Sequence, residues 1–411
     1  MGGVFINKNC YAIFPLDLIN NEQYHNLSSD EKILYILLLN RKNFSLKNLK
    51  SFSDEKGVFI YYCNSQIQKH LNCCESTATK CLKNLEDAGL IIKEYQKNKQ
   101  PIIKVEDITK TNFEDMYINR FLTHTRAFVK IQDGCNAFCA YCTIPYARGG
   151  LRSKEFNKVI DEVTNLVNNG YKEIVLTGIH TGRYGIEQNT NLEKLLKELV
   201  KIKNIFRIRL SSIEINEITD GIIELIKTND IMAKHLHIPL QSGSNKILKD
   251  MNRLYDLEFF INRIEYIKKE IPDISITTDL IVGFPGETEE LFKETLDTLN
   301  KIKFTKIHTF PYSKRKGTPA ASMDNQISPE IKKERVRKVL ELSSDFEQKY
   351  YENNIGKIYD GVVEVHQSGE IVVHTSNFIP VIINNNLNNN DIVKVEITEM
   401  KNNKVYGKVV K

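Results

Sequence analysis

Apolar positions along the chain fall into three successive rhythms. The first, up to residue 105, begins helical: Ile33, Leu34, Ile36, Leu37 and Leu38 follow Ser28 and Ser29, either of which can cap a helix. Gly57 predicts a turn before the strand-like run Val58, Phe59, Ile60, Tyr61 and Tyr62. Asn64 or Ser65 then opens a short helix ending near Leu71, and a second helix runs from about Glu75 to Ala88, stopped by Gly89 as a C′ glycine. Two strands, at 90–95 and 102–105, flank a polar tip at 96–100. Helix, short helix, helix and β-ribbon make a winged helix-turn-helix. Its last helix turns Ala78, Cys81, Leu82 and Leu85 to the core and leaves Ser76, Thr77, Thr79, Lys80 and Lys83 to a DNA groove.

Residues 106–125 carry mixed charge without a period and read as a linker. The second rhythm follows. Strongly apolar runs at 127–132, 173–177, 206–210, 235–238, 275–282 and 306–310 alternate with helical patterns at 159–168, 192–200, 218–227, 257–269 and 289–299. Repeated βα units with apolar strands imply a parallel sheet with helices outside. About six units, against the eight of a closed barrel, predict an α/β fold: a partial parallel (β/α)6 barrel over 126–353. The third rhythm follows a long helix at 329–353. Short alternating strands with Asn-rich turns such as INNNLNNND predict a small β-barrel over 354–411. The expected domains are thus 1–105, the linker, 126–353 and 354–411.

Composition narrows the class without choosing a function. Hydrophobic residues make up 41% and charged residues 27%, as in soluble globular proteins. No apolar run approaches the ~18 residues of a membrane span. The start MGGVFINKNC shows no signal-peptide pattern, and eight cysteines in so long a chain suit a reducing compartment. The expectation is a cytoplasmic protein with no membrane partner. The net charge of +5 is unevenly placed: Lys and Arg exceed Asp and Glu by 14 to 10 over residues 1–105, but match them 6 to 6 over 354–411. Electrostatics alone therefore do not argue for RNA on the last barrel.

The candidate chemistry lies in KIQDGCNAFCAYCTIPYARGG. Cys135, Cys139 and Cys142 can hold three irons of a four-iron cube on one loop, leaving the fourth iron for a small molecule. Tyr141 completes the pattern C-x-x-x-C-x-aromatic-C. The alternative is a zinc knot, which closes with four ligands and would need His124 or His180. Polar clusters follow the later strands in turn: Gly178 to His180, Ser211 to Glu214, Pro239 to Ser242, Gly283 to Glu287 and Pro311 to Ser313. Barrel sites are assembled from such C-terminal strand ends. Of His180, His235, His237 and His308, at least half are expected to be satisfied core histidines.

The cysteine pattern resembles the radical S-adenosylmethionine (SAM) superfamily. KIQDGCN, YCTIPYARGGLRSK, LTGIHTGRYG, RIRLSSIE, HLHIPLQSGS, TDLIVGFPGET and FPYSKRKGTPA extend the resemblance over 106–411 to radical-SAM methylthiotransferases. Within that family they look most like the branch modifying threonylcarbamoyladenosine next to the tRNA anticodon, and the last barrel is similar to its RNA-binding TRAM domain. The resemblance implies a 4Fe-4S cluster on Cys135, Cys139 and Cys142, with SAM beside Tyr141, Gly178, Ser212, Gln241 and Gly283. It assigns no catalytic residue beyond the cluster ligands. It further implies a tRNA substrate, an electron donor the sequence does not name, and a methylthio group inserted at C2 of the modified adenosine.

Residues 10–105, through FPLDLINNEQYHNLSSDEKILYILLLNRKNFS and STATKCLKNLEDAGLI, instead resemble the N-terminal domain of replication initiator A proteins. That implies DNA as a partner, through Thr79, Lys80 and Lys83. Methylthiotransferases normally begin with a domain whose three cysteines hold a second 4Fe-4S cluster; here the initiator-like segment stands in that place. Cys10, Cys63, Cys73, Cys74 and Cys81 do not match the second-cluster pattern and read mostly as buried thiols. The competing readings are a DNA-binding initiator-like protein and an inactive fusion.

Overall fold

The computed structural model describes residues 15, 17–20, 22–45, 52–54, 57–94, 101–105, 125–366 and 369–410. The chain divides into two compact units, Met1–Asn112 and Phe113–Lys411. The polar tip at 96–100, residues 106–124 of the expected linker, Cys10 and His124 lie outside the described residues.

After short helical turns at Asp17–Asn20 and Glu22–Tyr24, the main helix of the first unit is α1, Ser29–Ser45. Ser28 is its cap. The Ser28 amide donates to the Glu31 carboxylate at 2.7 Å, and the Glu31 amide donates back to Ser28 Oγ at 3.3 Å, a reciprocal capping box. Strand β1, Ile60–Tyr61, leads to α2, Asn64–Leu71, and α3, Glu75–Asp87. Gly89 ends α3 at φ +72°, with its amide on Glu86 O and the Leu90 amide on Leu85 O, both at 2.9 Å. That left-handed C′ geometry is why glycine stands there. Strands β2, Ile91–Glu94, and β3, Ile102–Val105, complete an antiparallel sheet with β3 in the middle. Ala78, Cys81, Leu82 and Leu85 are buried against Leu34, Leu38 and Ile67, while Thr79, Lys80 and Lys83 are exposed.

In the second unit the strands are β4 (Ala127–Asp133), the short β5 (Arg152–Ser153), β6 (Glu173–Gly178), β7 (Arg207–Leu210), β8 (His235–His237), β9 (Ser275–Val282) and β10 (Lys306–Pro311). β4, β6 and β7 run parallel in order, with β5 antiparallel on the outer edge of β4. β8, β9 and β10 form a second parallel set. Parallel bridges Ile208↔Met232 and Ser212↔His237 lie between the two sets. Helices alternate with them: α4 (Ile144–Arg148), α5 (Phe156–Asn168), α6 (Leu192–Leu199), α7 (Asp220–Thr228), α8 (Asn245–Asp250), α9 (Leu257–Glu270), α10 (Glu289–Ile302) and α11 (Pro329–Glu352). Thr219, Asp256, Thr288 and Ser328 cap α7, α9, α10 and α11 by accepting from the third helical amide. Such a cap is worth ~1 kcal/mol. Val129, Ile131, Leu176, Ile208, Leu236 and Leu280 bury one continuous core with Val163, Leu195, Ile222, Phe260 and Phe292 of the helices.

The chain ends in a closed five-stranded barrel of β11 (Ile358–Val365), β12 (Ile371–Thr375), β13 (Pro380–Ile383), β14 (Ile392–Lys401) and β15 (Lys404–Val410), ordered β11-β12-β13-β15-β14. Buried charge seats it on the parallel strands. Glu173 accepts from Arg209 Nε at 2.7 Å and lies 3.4 Å from Arg207 Nη1. Arg207 also donates to the carbonyls of Asp360 and His374, each at 2.9 Å, and Arg209 to that of Thr375 at 3.3 Å. Phe378 stacks on His235 at 4.4 Å. No described helix is long and apolar enough to cross a membrane.

Candidate functional site

The cysteine loop grows from the C-terminal end of β4. Gly134, at φ +73°, leaves no room for a side chain, since a Cβ there would stand 1.9 Å from Gly150 O. The Cys135 amide donates to Gly149 O at 3.0 Å and closes the base of the loop. Asp133 braces it, accepting from the Gly134 amide and Lys130 at 2.8 Å and pairing with Arg148 and Arg152 at 3.4 Å. Burial opposes the Asp133 charge, but Lys130, the Gly134 amide and Arg148 outweigh it and hold the carboxyl below its ordinary value.

Each sulfur meets a nitrogen. The Ala137 amide reaches Cys135 Sγ, the Ile144 amide Cys142 Sγ and Arg253 Nη1 Cys139 Sγ, all at 3.4 Å. His180 Nδ1 lies 3.3 Å from Cys135 Sγ, and its Nε2 lies 2.8 Å from Glu217, which Arg183 also engages at 2.6 Å. Burial works against the His180 charge, yet Cys135 and Glu217 raise it to about 9. Burial likewise opposes the Cys135 thiolate, but the His180 hydrogen bond and the Ala137 amide bring that thiol below its ordinary value. Cys142 goes the other way, pushed up by burial and by the neighbouring cysteines.

A second segment, Met251 to Tyr255, clamps the loop. α8 ends in a Schellman turn: Asn252 is left-handed at φ +59°, its amide bonds Lys249 O, and the Arg253 amide bonds Leu248 O. From that turn Met251 O accepts from the Ala140 amide at 2.9 Å. The Asn252 side chain donates to Ala137 O at 3.3 Å and Phe138 O at 3.2 Å. Pattern reading of the sequence missed this clamp. Its visible trace was an asparagine just past an apolar helical turn, a C′ position.

Cys139, His180, Arg183, Glu214, Glu217 and Arg253 line a shallow open cleft beside the loop. None of the five residues expected near SAM lines this cleft. Gly178 is tightly packed, and a Cβ there would meet Gln132 at 3.0 Å. Gly283 takes φ +72°, and a Cβ there would meet Lys332 at 2.4 Å. Gln241 holds the left-handed φ of +63° between β8 and β9, its amide on Asp279 O and its carbonyl on the Ile281 amide, each at 2.9 Å. Ser212 bridges toward His237, and Tyr141 packs on the cluster around Ala140, Met251 and Phe284. His235 is a core histidine bonded to Thr277 at 3.1 Å; His237 lies between Thr277 at 2.9 Å and Asp279 at 3.1 Å.

These residues fit a cluster better than a single ion. Among the described residues, three donor atoms of His, Cys, Asp or Glu close within 4.8 Å of one another only at Glu364, His366 and His374 on the C-terminal barrel. The loop sulfurs are spread wider than that, although His180, one candidate fourth zinc ligand, does reach Cys135. A multi-iron cube needs wider spacing than one tetrahedral ion, and N–H donors at each sulfur suit thiolate ligands.

Comparison with known proteins follows the same division. Residues 129–299 match the Radical SAM superfamily, and residues 10–121 match the N-terminus of replication initiator protein A. Threonylcarbamoyladenosine tRNA methylthiotransferase MtaB of Bacillus subtilis (strain 168) is 46% identical over 299 residues, 71% of this chain and 66% of the relative. The tRNA-2-methylthio-N(6)-dimethylallyladenosine synthase of Clostridium tetani (strain Massachusetts / E88) is 37% identical over 340 residues, 79% and 72%. This chain thus spans slightly less than two thirds of the first relative's length. A solved Rep–DNA complex is 35% identical over 24% of this chain and 77% of that one, with a TM-score of 0.22.

Proposed function

This chain belongs to the radical SAM tRNA methylthiotransferases, and from that premise we propose that it adds a methylthio group to C2 of N6-threonylcarbamoyladenosine beside the tRNA anticodon. Cys135, Cys139 and Cys142 would hold a 4Fe-4S cluster, on a loop at the mouth of what we read as a partial (β/α)6 barrel. SAM would bind at the cluster, with Tyr141, Gly178, Ser212, Gln241 and Gly283 as the residues that the family resemblance sets beside it. When bound, cluster and SAM together supply a carbon radical, the fitting reagent for an unactivated C–H bond. The chain's own residues do the positioning. Gly134 and Asp133 fix the base of the loop, Asn252 pins its tip, and backbone amides neutralise thiolate charge. The target base would be splayed from the anticodon loop to reach the barrel mouth, with the C-terminal barrel as the RNA-binding module.

One observation carries this reading: three cysteines at C-x-x-x-C-x-aromatic-C spacing, each sulfur met by an N–H donor, on a loop at the end of a parallel strand. The test is anaerobic reconstitution, followed by iron and sulfide analysis and mass spectrometry of tRNA incubated with SAM and reductant. Release of 5′-deoxyadenosine together with methylthiolated tRNA is the expected result. Iron-loaded protein that cleaves no SAM would overturn it. Cluster content also decides whether one cube or two is present, and so whether the sulfur-donating step needs a second site.

A separate observation supports a second role for the first unit. Its helices and β-ribbon are read as a winged helix, and α3 exposes Thr79, Lys80 and Lys83 on one face within the stretch matching replication initiators. DNA is the proposed partner there. Lys80→Ala with Lys83→Ala should weaken binding to an origin fragment and lower its salt slope; unchanged affinity and slope would remove this role.

A further inference from the structure

Arg253 is the group near the cysteine loop whose placement the cluster-ligand role of the cysteines leaves unexplained. Its side chain is 6% exposed, and three of its nitrogens are engaged. Nη1 points to Cys139 Sγ at 3.4 Å, Nε to the Tyr255 hydroxyl at 3.3 Å, and Nη2 to the Glu214 carboxylate. The guanidinium lies over the Tyr255 ring at 5.0 Å, and the Tyr255 hydroxyl is itself fixed to Leu240 O at 2.8 Å. A buried cation held from three sides costs desolvation and side-chain entropy, so its aim at one sulfur needs an explanation beyond packing.

We infer that Arg253 is a positioning residue that sets the reduction potential of the cluster, by directing a charge-assisted N–H···S hydrogen bond onto Cys139 with Glu214 and Tyr255 orienting it. The inference rests on the proposed function, because it concerns a cluster on these cysteines. Adding an electron makes a cluster more negative. A donor and a fixed positive charge on its thiolate stabilise that reduced form and raise the potential. Glu214 offsets part of the charge and pairs with Nη2, while Nη1 is the nitrogen directed at the sulfur. Its main effect is orientation.

The experiment is a redox titration of the reconstituted full-length protein, following the EPR signal of the reduced cluster, on wild type, Arg253→Met and Arg253→Lys. Methionine keeps much of the stem's bulk but removes donors and charge. Lysine keeps the charge and cannot serve Cys139, Tyr255 and Glu214 together. Arg253→Met should load iron and shift the reduced-to-oxidised ratio at fixed potential about tenfold toward oxidised, ~59 mV for one electron. Arg253→Lys should fall between it and wild type, and decides the matter if the methionine variant does not load. Variants that hold less iron while the remaining clusters keep the wild-type potential would show a merely structural arginine and overturn the inference. Wild-type protein that takes up no cluster would instead sink the parent reading, and this inference with it.

Discussion

The two units use cysteine and charge in opposite ways. In the second unit Cys135, Cys139 and Cys142 sit on a loop braced by Asp133, Gly134 and Asn252, with amides, an imidazole and a guanidinium against their sulfurs. In the first unit Cys81 is buried among Ala78, Leu82 and Leu85, and burial pushes its thiol up. Cys63 and Cys74 occupy the N-cap positions of α2 and α3, with Ser65, Ser76 and Thr77 hydroxyls for partners. Cysteine number therefore says little about ligation. Backbone amides also face Cys63 and Cys74 at their helix N-termini, so what separates the two sets is that the loop sulfurs share one half-buried loop with an imidazole and a guanidinium against them, while the others stand singly beside local hydroxyls or in apolar packing.

The largest expected effect follows directly. Cys139→Ser should reduce the iron of anaerobically reconstituted protein to background, whereas Cys63→Ser, Cys73→Ser and Cys74→Ser should each leave iron per chain unchanged. Iron and sulfide analysis reads both arms. A first-unit substitution that removed a large share of the iron would erase the distinction and point to a second cluster there.

Buried charge gives the next contrast. Glu173, fully buried, serves Arg207 and Arg209 beneath the C-terminal barrel. Glu173→Gln should cost ~3–5 kcal/mol, because it leaves buried guanidinium groups uncompensated. In the first unit Glu31 is also buried, but its partners are the Ser28 amide and the Asn84 side chain. Glu31→Gln keeps most of that hydrogen bonding and should cost ~1 kcal/mol or less. Urea unfolding of the two variants measures the gap, and similar costs would show that the arginines find solvent or new partners.

Two glycines with nearly equal φ make the same point about backbone. Gly134 and Gly89 lie at +73° and +72°, but a Cβ at Gly134 would strike Gly150 O while Gly89 has nothing within 4 Å. Gly89→Ala should cost only the left-handed penalty, ~1–2 kcal/mol. Gly134→Ala carries that penalty plus a backbone displacement, and should lower iron retention as well as the melting temperature. Retention of full iron by Gly134→Ala would mean the loop base tolerates displacement.

How much of this was legible follows from the range of the forces involved. The apolar rhythm announced the parallel strands, the α3 core face and the Gly89 stop, because periodicity and C′ geometry are local. The cysteine spacing announced the loop for the same reason. The clamp was hidden, since Asn252 and Arg253 meet Phe138 and Cys139 across more than a hundred residues of chain. The run at 206–210 reads as an apolar strand, and only the fold shows that its Arg207 and Arg209 pair with buried Glu173. Gly178 illustrates the converse: placed beside a ligand by resemblance, it also stands in tight packing, where a Cβ would meet Gln132 at 3.0 Å.

The smallest effect concerns a single thiol, and it tests whether first-unit cysteines have an environment of their own. Cys74 is exposed, and hydroxyls of Ser76 at 3.0 Å and Thr77 at 3.2 Å, at the first turn of α3, lower its thiol to about 7. A lowered thiol pKa means thiolate is present at lower pH, and thiolate is the reacting form. Alkylation of Cys74, followed by peptide mass spectrometry under anaerobic conditions, should therefore be half-maximal near pH 7 and flat above about pH 8. Ser76→Ala with Thr77→Val removes the two hydroxyls, so the profile should move upward toward the ordinary thiol value of ~8.5. Cys81, buried and pushed the other way, should stay unmodified in folded protein throughout. A Cys74 rate still climbing tenfold per pH unit at pH 8.5 would mean that the hydroxyls merely sit beside the sulfur without stabilising its charge. The thiols of the first unit would then differ from one another by exposure alone.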